Sequence, residues 1–376
     1  MSGTATLAPL EIAPRLSRLR DQVAARGLDA LLVTKLANVR YLTGFTGSAA
    51  MLMVTADDAL FVTDGRYQEQ SREQLGAAGV HDAAGGGVRI EIGLTAGAQH
   101  TALAAVVAGG GRRLGLEDHS VTWADQRAFT DVFAGAELVP AGALVEDLRR
   151  IKDRGEVDRI RRACAIADDA FQSLLPRLSS GVTERQFALE LEFAMRERGA
   201  SGNSFDPIIA AGPNGAKPHA RPSDRVIERN ELVVCDFGCI VDGYCSDMTR
   251  TVSVGDPGAD ARRLYDVVLE SQQAGRAIVA ADVACADVDR ASRDVIVGAG
   301  WGDAFSHSTG HGVGLEIHEA PRVAATGRDT LVIGDVVTVE PGVYLPGIGG
   351  VRIEDTVVVA AAGSEPLTLT PKDLVL

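Results

Sequence analysis

Glu231-Leu-Val-Val-Cys-Asp236-Phe-Gly-Cys-Ile-Val-Asp242-Gly243-Tyr-Cys-Ser-Asp247-Met-Thr-Arg-Thr-Val-Ser-Val254 consists of two apolar runs around an Asp-Gly dipeptide. Asp-Gly between apolar strands is a strong signal for a tight antiparallel turn. Each run carries one carboxylate, Asp236 and Asp247, eleven residues apart, so a hairpin lets the two face each other across a strand pair. The same design recurs nearer the C-terminus. Asp335-Val-Val-Thr-Val-Glu340-Pro-Gly is an apolar run with one acid, a Pro/Gly turn follows at 345–350, and Val351-Arg-Ile-Glu354-Asp-Thr-Val-Val-Val359 closes a second hairpin. Glu340 and Glu354 take the places of the two aspartates. The recurrence predicts two structurally related halves packed together, each presenting a pair of acids.

A carboxylate in a central strand is unfavourable unless it is paired or bound to a metal. Arginines such as Arg250 and Arg352 offset two of the four. Four acids in matching places exceed what ion pairs explain, and a two-metal site is the expected alternative. An oxygen-rich donor set with one imidazole suits Mn(II), Co(II), Fe(II) or Zn(II). Two such ions polarise a carbonyl and activate water.

The imidazole comes from Ser306-His-Ser-Thr-Gly-His-Gly-Val-Gly-Leu-Glu-Ile-His-Glu319, which holds three of the seven histidines, His307, His311 and His318. Gly310, Gly312 and Gly314 argue against a helix, since each costs about 1 kcal/mol relative to Ala there. They allow close backbone approach or unusual dihedrals. The stretch therefore reads as a tight loop or irregular strand aiming imidazoles into a pocket. No second histidine falls four residues after His318, so the helical zinc-protease spacing is absent.

Upstream, residues 1–145 alternate strands and helices, which predicts an α/β sandwich domain. A helix over 16–24 ends at Gly27, a strand follows at 29–34, and a hairpin spans 51–63. Strands at 88–92 and 113–116, and helices at 66–75, 101–107 and 122–133, complete it. Asp64-Gly-Arg-Tyr67 reads as a solvated turn, and His81, His100 and His119 as packing or surface residues. The charged segment 148–153 marks the boundary to a second domain, 146–376. That domain opens with an amphipathic helix from about Glu156 to Leu178 and, after a Thr183–Gln186 capping box, a helix to Gly199.

The chain has 376 residues and a net charge of −14, which disfavours nucleic acid as the main partner. No run of about 18 apolar residues predicts a membrane span. Five cysteines without a Cys-x-x-Cys pair read as buried free thiols in a reducing compartment, not as a disulfide frame or a Cys235–Cys239–Cys245 metal cluster.

Asp236-Phe-Gly, Ser246-Asp247-Met-Thr-Arg, Gly310-His311-Gly-Val-Gly, Glu340-Pro-Gly and Arg352-Ile-Glu354-Asp together resemble the pita-bread metallopeptidases, the group of methionine aminopeptidase, aminopeptidase P and prolidase. The likeness is strong from about 150 to the end and looser before it. It implies an N-terminal creatinase/prolidase-like α/β domain followed by a pita-bread catalytic domain with a pseudo-twofold repeat. It implies the metal ligands Asp236, Asp247, His311, Glu340 and Glu354, two divalent ions (manganese first, then cobalt, zinc or iron), a homodimer and a cytoplasmic location. Lys217-Pro-His219-Ala-Arg-Pro-Ser-Asp224 resembles the substrate-histidine segment of the proline-specific branch. On that likeness Glu340 is ligand and proton shuttle, and His219 and His318 are catalytic and bind substrate. His307 and Arg352 hold substrate or orient ligands. The expected activity is hydrolysis of the Xaa-Pro bond in short peptides, chiefly dipeptides, with Xaa-Pro aminopeptidase as the alternative. Creatinase shares both domains but lacks the ligands. A metal-dependent lyase or hydrolase on a small non-peptide substrate, or a non-catalytic binding protein on this fold, are the readings of another class.

Overall fold

The computed structural model describes residues 7–81 and 87–376. Two compact units emerge, Leu10–Arg149 and Arg150–Leu376, the second also taking in residues 7–9. The charged junction at 148–153 begins inside a helix, Leu144–Arg150, and continues without regular structure to the next helix at Arg154.

The first unit is built on a six-stranded sheet in the order Val88–Ile92, Ala59–Thr63, Ala50–Thr55, Ala30–Val33, Arg113–Leu116, Glu137–Pro140. The three inner strands are antiparallel neighbours, and the outer pairings are parallel. Ala30–Val33 and Ala59–Thr63 are buried at every position, which explains their unbroken apolar sequence. Leu103 and Phe129 bring the helices Ala96–Val106 and Trp123–Val132 against Leu32, Leu60 and Leu114 on one face. The helix Leu36–Thr43 has no counterpart in the sequence reading. It is only eight residues long and is stopped by Gly44 in the left-handed region at φ 76°. Asp64 caps its own turn by accepting from the Arg66 amide, as expected of a solvated turn.

The second unit repeats one plan twice. Helices Arg154–Leu174 and Glu184–Glu197 lead into three antiparallel strands, Ile208–Ala211, Leu232–Phe237 and Met248–Ser253. Helices Ala259–Ala277 and Cys285–Gly298 then lead into Gly310–Gly312, Val336–Val339 and Asp355–Val359, paired in the same order. The first helix pair starts as its sequence dictates, with capping boxes Asp153–Glu156 and Thr183–Gln186. Its apolar stripe, including Phe171 and Phe187, packs on Cys235, Phe237 and Met248.

The register corrects one expectation. Thr249, not Asp247, lies opposite Asp236. Asp247 is two residues away from Thr249 along the chain and so shares its sheet face. The hairpin narrows here: a Cβ on Gly238 would lie 1.9 Å from the Ser246 carbonyl oxygen. In the second half, Glu340 directly follows the strand Val336–Val339, and Glu354 directly precedes Asp355–Val359. Between them the chain makes a separate hairpin, Gly342–Leu345 with Gly349–Arg352.

Candidate active site

The strand ends of both halves meet on one cluster of acids. Asp236, Asp247 and Glu354 each contribute an oxygen within 4.8 Å of the others. His311 Nε2 stands 3.2 Å from Glu340 Oε1 and 3.4 Å from Asp247 Oδ2. The other ring nitrogen, Nδ1, is 3.0 Å from the Gly312 carbonyl oxygen. A proton on Nδ1 satisfies that contact and leaves Nε2 as the atom facing the acids. All five residues singled out as ligands by resemblance therefore share one locus.

The glycines of the histidine stretch work by close approach. A Cβ on Gly310 would meet the Thr338 carbonyl oxygen at 2.0 Å, and one on Gly312 would meet the Ala320 carbonyl oxygen at 2.2 Å. None of the three has a positive φ. The segment is an irregular strand whose register shifts between His311 and Gly312.

A cleft of about 840 Å³ opens at the cluster, lined by Asp236, Asp247, His311 and Glu340 together with His219, His307 and His318. His318 and His219 are exposed, and the His318 ring meets the His311 ring edge-on at 4.4 Å between centroids. His307 is engaged at both nitrogens, with the Ser308 carbonyl oxygen at 2.8 Å and the Tyr344 hydroxyl at 3.0 Å. Arg352 donates to the Tyr344 hydroxyl at 2.6 Å, to Thr249 Oγ1 at 3.1 Å and to Asp236. Arg250, the other arginine expected to balance the acids, turns instead to Asp355 at 3.0 Å.

The sequence matches metallopeptidase family M24 over residues 158–361 and the creatinase/prolidase N-terminal domain over residues 15–151. The chain belongs to metallopeptidase family M24. It is 42% identical to the uncharacterized peptidase YqhT of Bacillus subtilis across 96% of this chain and 99% of that one. Among solved structures, the Xaa-Pro dipeptidase from Bacillus anthracis superposes with a TM-score of 0.89 at 40% identity, over 96% of this chain and 99% of that one. The X-Pro aminopeptidase from Thermotoga maritima gives 0.83 at 33% identity, over 95% and 100%.

The electrostatics of this M24 metallopeptidase fit divalent cations. Burial raises the pKa of Asp247 and Glu354 well above the ordinary carboxylate range, and neighbouring acids add to it. Burial also raises Asp236, against the pull of Arg352. Glu354 Oε1 is buried with no hydrogen-bond partner among the described residues, while Oε2 accepts from Thr249 at 2.8 Å. An unpartnered buried carboxylate oxygen facing other carboxylates is a donor set for a hard cation. Burial opposes charge on His311 and Glu340 alike, but their mutual contact outweighs it: the imidazole rises and the carboxylate falls.

Several residues at this M24 site escaped the sequence reading. Arg322 lines the cleft, is exposed, and pairs in register with His311. No motif in the sequence marks it. Thr249 ties Arg352 to Glu354, and Tyr344 ties it to His307. Thr249 sits inside the Ser246–Arg250 motif without being singled out, and Tyr344 sits in none.

Proposed function

We propose that this enzyme hydrolyses the Xaa-Pro bond of short peptides, chiefly dipeptides, using two divalent ions held by Asp236, Asp247, His311, Glu340 and Glu354. The observation that carries the reading is the convergence of these five side chains, four of them lining a cleft shared with His219, His307 and His318, and the fifth, Glu354, within 4.8 Å of Asp236 and Asp247 with an orphaned oxygen. The carboxylate-rich donors favour manganese. When bound, such ions supply Lewis-acid polarisation of the scissile carbonyl and lower the pKa of water.

The protein's own groups supply the rest. An Xaa-Pro bond is a tertiary amide with no N–H, so strand-like gripping of the substrate loses a donor there. Recognition of the peptide's ends avoids that loss. Arg322, exposed in the cleft, offers a guanidinium fork to the proline carboxylate of a dipeptide. Partial desolvation within the cleft, with His311 beside it, lowers the pKa of His318. His318 and His219 each direct a ring N–H at the developing oxyanion. Glu340 carries a proton to the proline nitrogen. Arg352 and His307, joined through Tyr344, hold Asp236 in orientation. Residues 1–145 form the accessory domain and 146–376 the catalytic one. The five buried free cysteines fit a reducing cytoplasm, and the homodimer rests on the family resemblance.

Manganese-loaded enzyme assayed on an Xaa-Pro dipeptide and on a tripeptide with the same first two residues tests the reading. The dipeptide is the expected substrate. Cleavage of the tripeptide alone makes the enzyme an aminopeptidase, and cleavage of neither removes the peptide reading. Glu340→Gln is expected to abolish turnover, and wild-type activity in that variant would sink the proton-shuttle role.

A further inference from the structure

The loop that carries His318 closes around a buried carboxylate that the chemistry above does not use. Glu319 accepts from its own turn, at 3.1 Å from the Glu316 amide, and from the Lys152 ammonium at 3.1 Å. The Lys152 and Glu319 side chains are only 1% and 7% exposed. Space for the carboxylate exists because residue 314 is glycine: a Cβ there would stand 2.5 Å from Glu319 Oε2. The other end of the loop is tied where the Gly314 carbonyl accepts from the Cys245 amide at 2.8 Å.

Lys152 reaches this carboxylate from a fixed base. Its amide donates to the Gly334 carbonyl at 3.0 Å. Two residues earlier, Arg150 grips the fully buried Asp335 with both arms, at 2.8 and 2.9 Å. Glu319 lines the cleft, but Lys152 is not among the lining residues. The ammonium therefore bears on the loop and not on a substrate. The residue next to Glu319 is His318, whose ring rests edge-on against His311.

We infer that Lys152 and Glu319 form a positioning pair that fixes His318 over the scissile carbonyl, an inference that rests on the role given to His318 above. Removing the strut leaves the metal donors in place, because none of them contacts Lys152. It lets the His318 loop relax, and small misplacements of a group acting on the reacting carbonyl have large effects on rate.

Lys152→Met alone leaves the Glu319 carboxylate buried without its ammonium, so Lys152→Met/Glu319→Gln carries the test. The side-chain carbonyl introduced by Glu319→Gln can still accept from the Glu316 amide. Metal-loaded wild type, this double variant, His318→Ala and the triple combination are assayed on an Xaa-Pro dipeptide, and metal stoichiometry is measured on each. The double variant is expected to keep wild-type metal content and to lose about 10- to 100-fold in kcat with a smaller change in KM. In the His318→Ala background the same two changes are expected to lower kcat by less than about twofold, the non-additivity of residues acting through one another. Independent, multiplicative losses overturn the inference, as does loss of metal or a wild-type kcat in the double variant. If His318→Ala alone keeps wild-type kcat, the role of His318 falls, and the inference falls with it for that separate reason.

Discussion

Glu354 and Asp355 are neighbours in the chain, both buried, and their environments are opposite. Asp355 faces away from the cleft into cations: Arg250 at 3.0 Å, Lys372 at 2.7 Å and, more distantly, Arg276 at 3.8 Å. Gln272 and Thr368 donate to it as well. Burial raises its pKa, but these cations prevail and hold it below the usual range. Glu354 faces acids, keeps an unpartnered oxygen and is pushed the other way. One carboxylate is neutralised by the protein, and the other is left for something the protein does not supply. The start of the strand Asp355–Val359 thus divides a charge the protein neutralises from one it leaves open.

Breaking the structural side should have the largest effect on stability. Arg250→Met removes one of the cations around Asp355, leaving Lys372 and Arg276, and removes donors to the carbonyls of Thr370 and Thr249. Breaking a buried pair outright costs about 3–5 kcal/mol; with Lys372 still on Asp355 the loss should fall toward the low end of that range, read as a fall in unfolding free energy by denaturant titration. If Arg250→Met is silent in stability but abolishes metal binding, the two sides are not separate. Breaking the functional side should do the converse. Glu354→Gln is expected to lower metal affinity and activity by more than about 100-fold, beyond the 10- to 100-fold typical of groups behind the ligands. The metal-free protein should be no less stable than wild type, since a repulsive carboxylate has gone. A metal-free variant clearly less stable than wild type would show that Glu354, like Asp355, is a structural charge.

The comparison also sets the pH dependence. Asp355 has a lowered folded pKa, so its contribution is present above the unfolded value near 3.9 and is lost as pH falls through the folded value. Asp236, Asp247 and Glu354 have raised folded pKa values, so the metal-free fold is progressively disfavoured as pH rises from about 4 through those values. Manganese should therefore stabilise more at about pH 7.5 than at about pH 5. Ion at about 100 times its Kd stabilises by about 2.7 kcal/mol. A melting-temperature gain that is independent of pH would contradict the assignment of the acids to the ion.

The sequence showed the donors better than their supports. Asp236, Asp247, Glu340 and Glu354 were legible because acids in apolar runs are anomalous, and the two anomalies repeat. Their relative placement was less so, since a turn signal does not fix register, and Thr249 took the place expected of Asp247 opposite Asp236. Arg322 and Lys152 were invisible for a different reason. A charge acquires meaning only from what it meets, and their partners lie across a strand pair and 167 residues along the chain. The helix Leu36–Thr43 was too short to show a period.

Tyr344 offers the smallest test, and it falls between the two sides. Its hydroxyl accepts from Arg352 at 2.6 Å and lies 3.0 Å from His307 Nε2. Arg352 in turn holds Asp236, but it also donates to the Pro218 carbonyl at 3.2 Å and to Thr249, so it keeps partners when the hydroxyl is removed. Tyr344→Phe keeps the ring and its packing and removes one link. Loss of a group that orients a ligand lowers activity by about tenfold at the small end, and the loss should appear in kcat. Stability should change little, because the cations around Asp355 do not touch Tyr344. A roughly tenfold loss of kcat with an unchanged melting temperature keeps the hydroxyl on the functional side. A large drop in melting temperature with unchanged kcat would move Tyr344, and the chain from His307 to Asp236 with it, to the structural side.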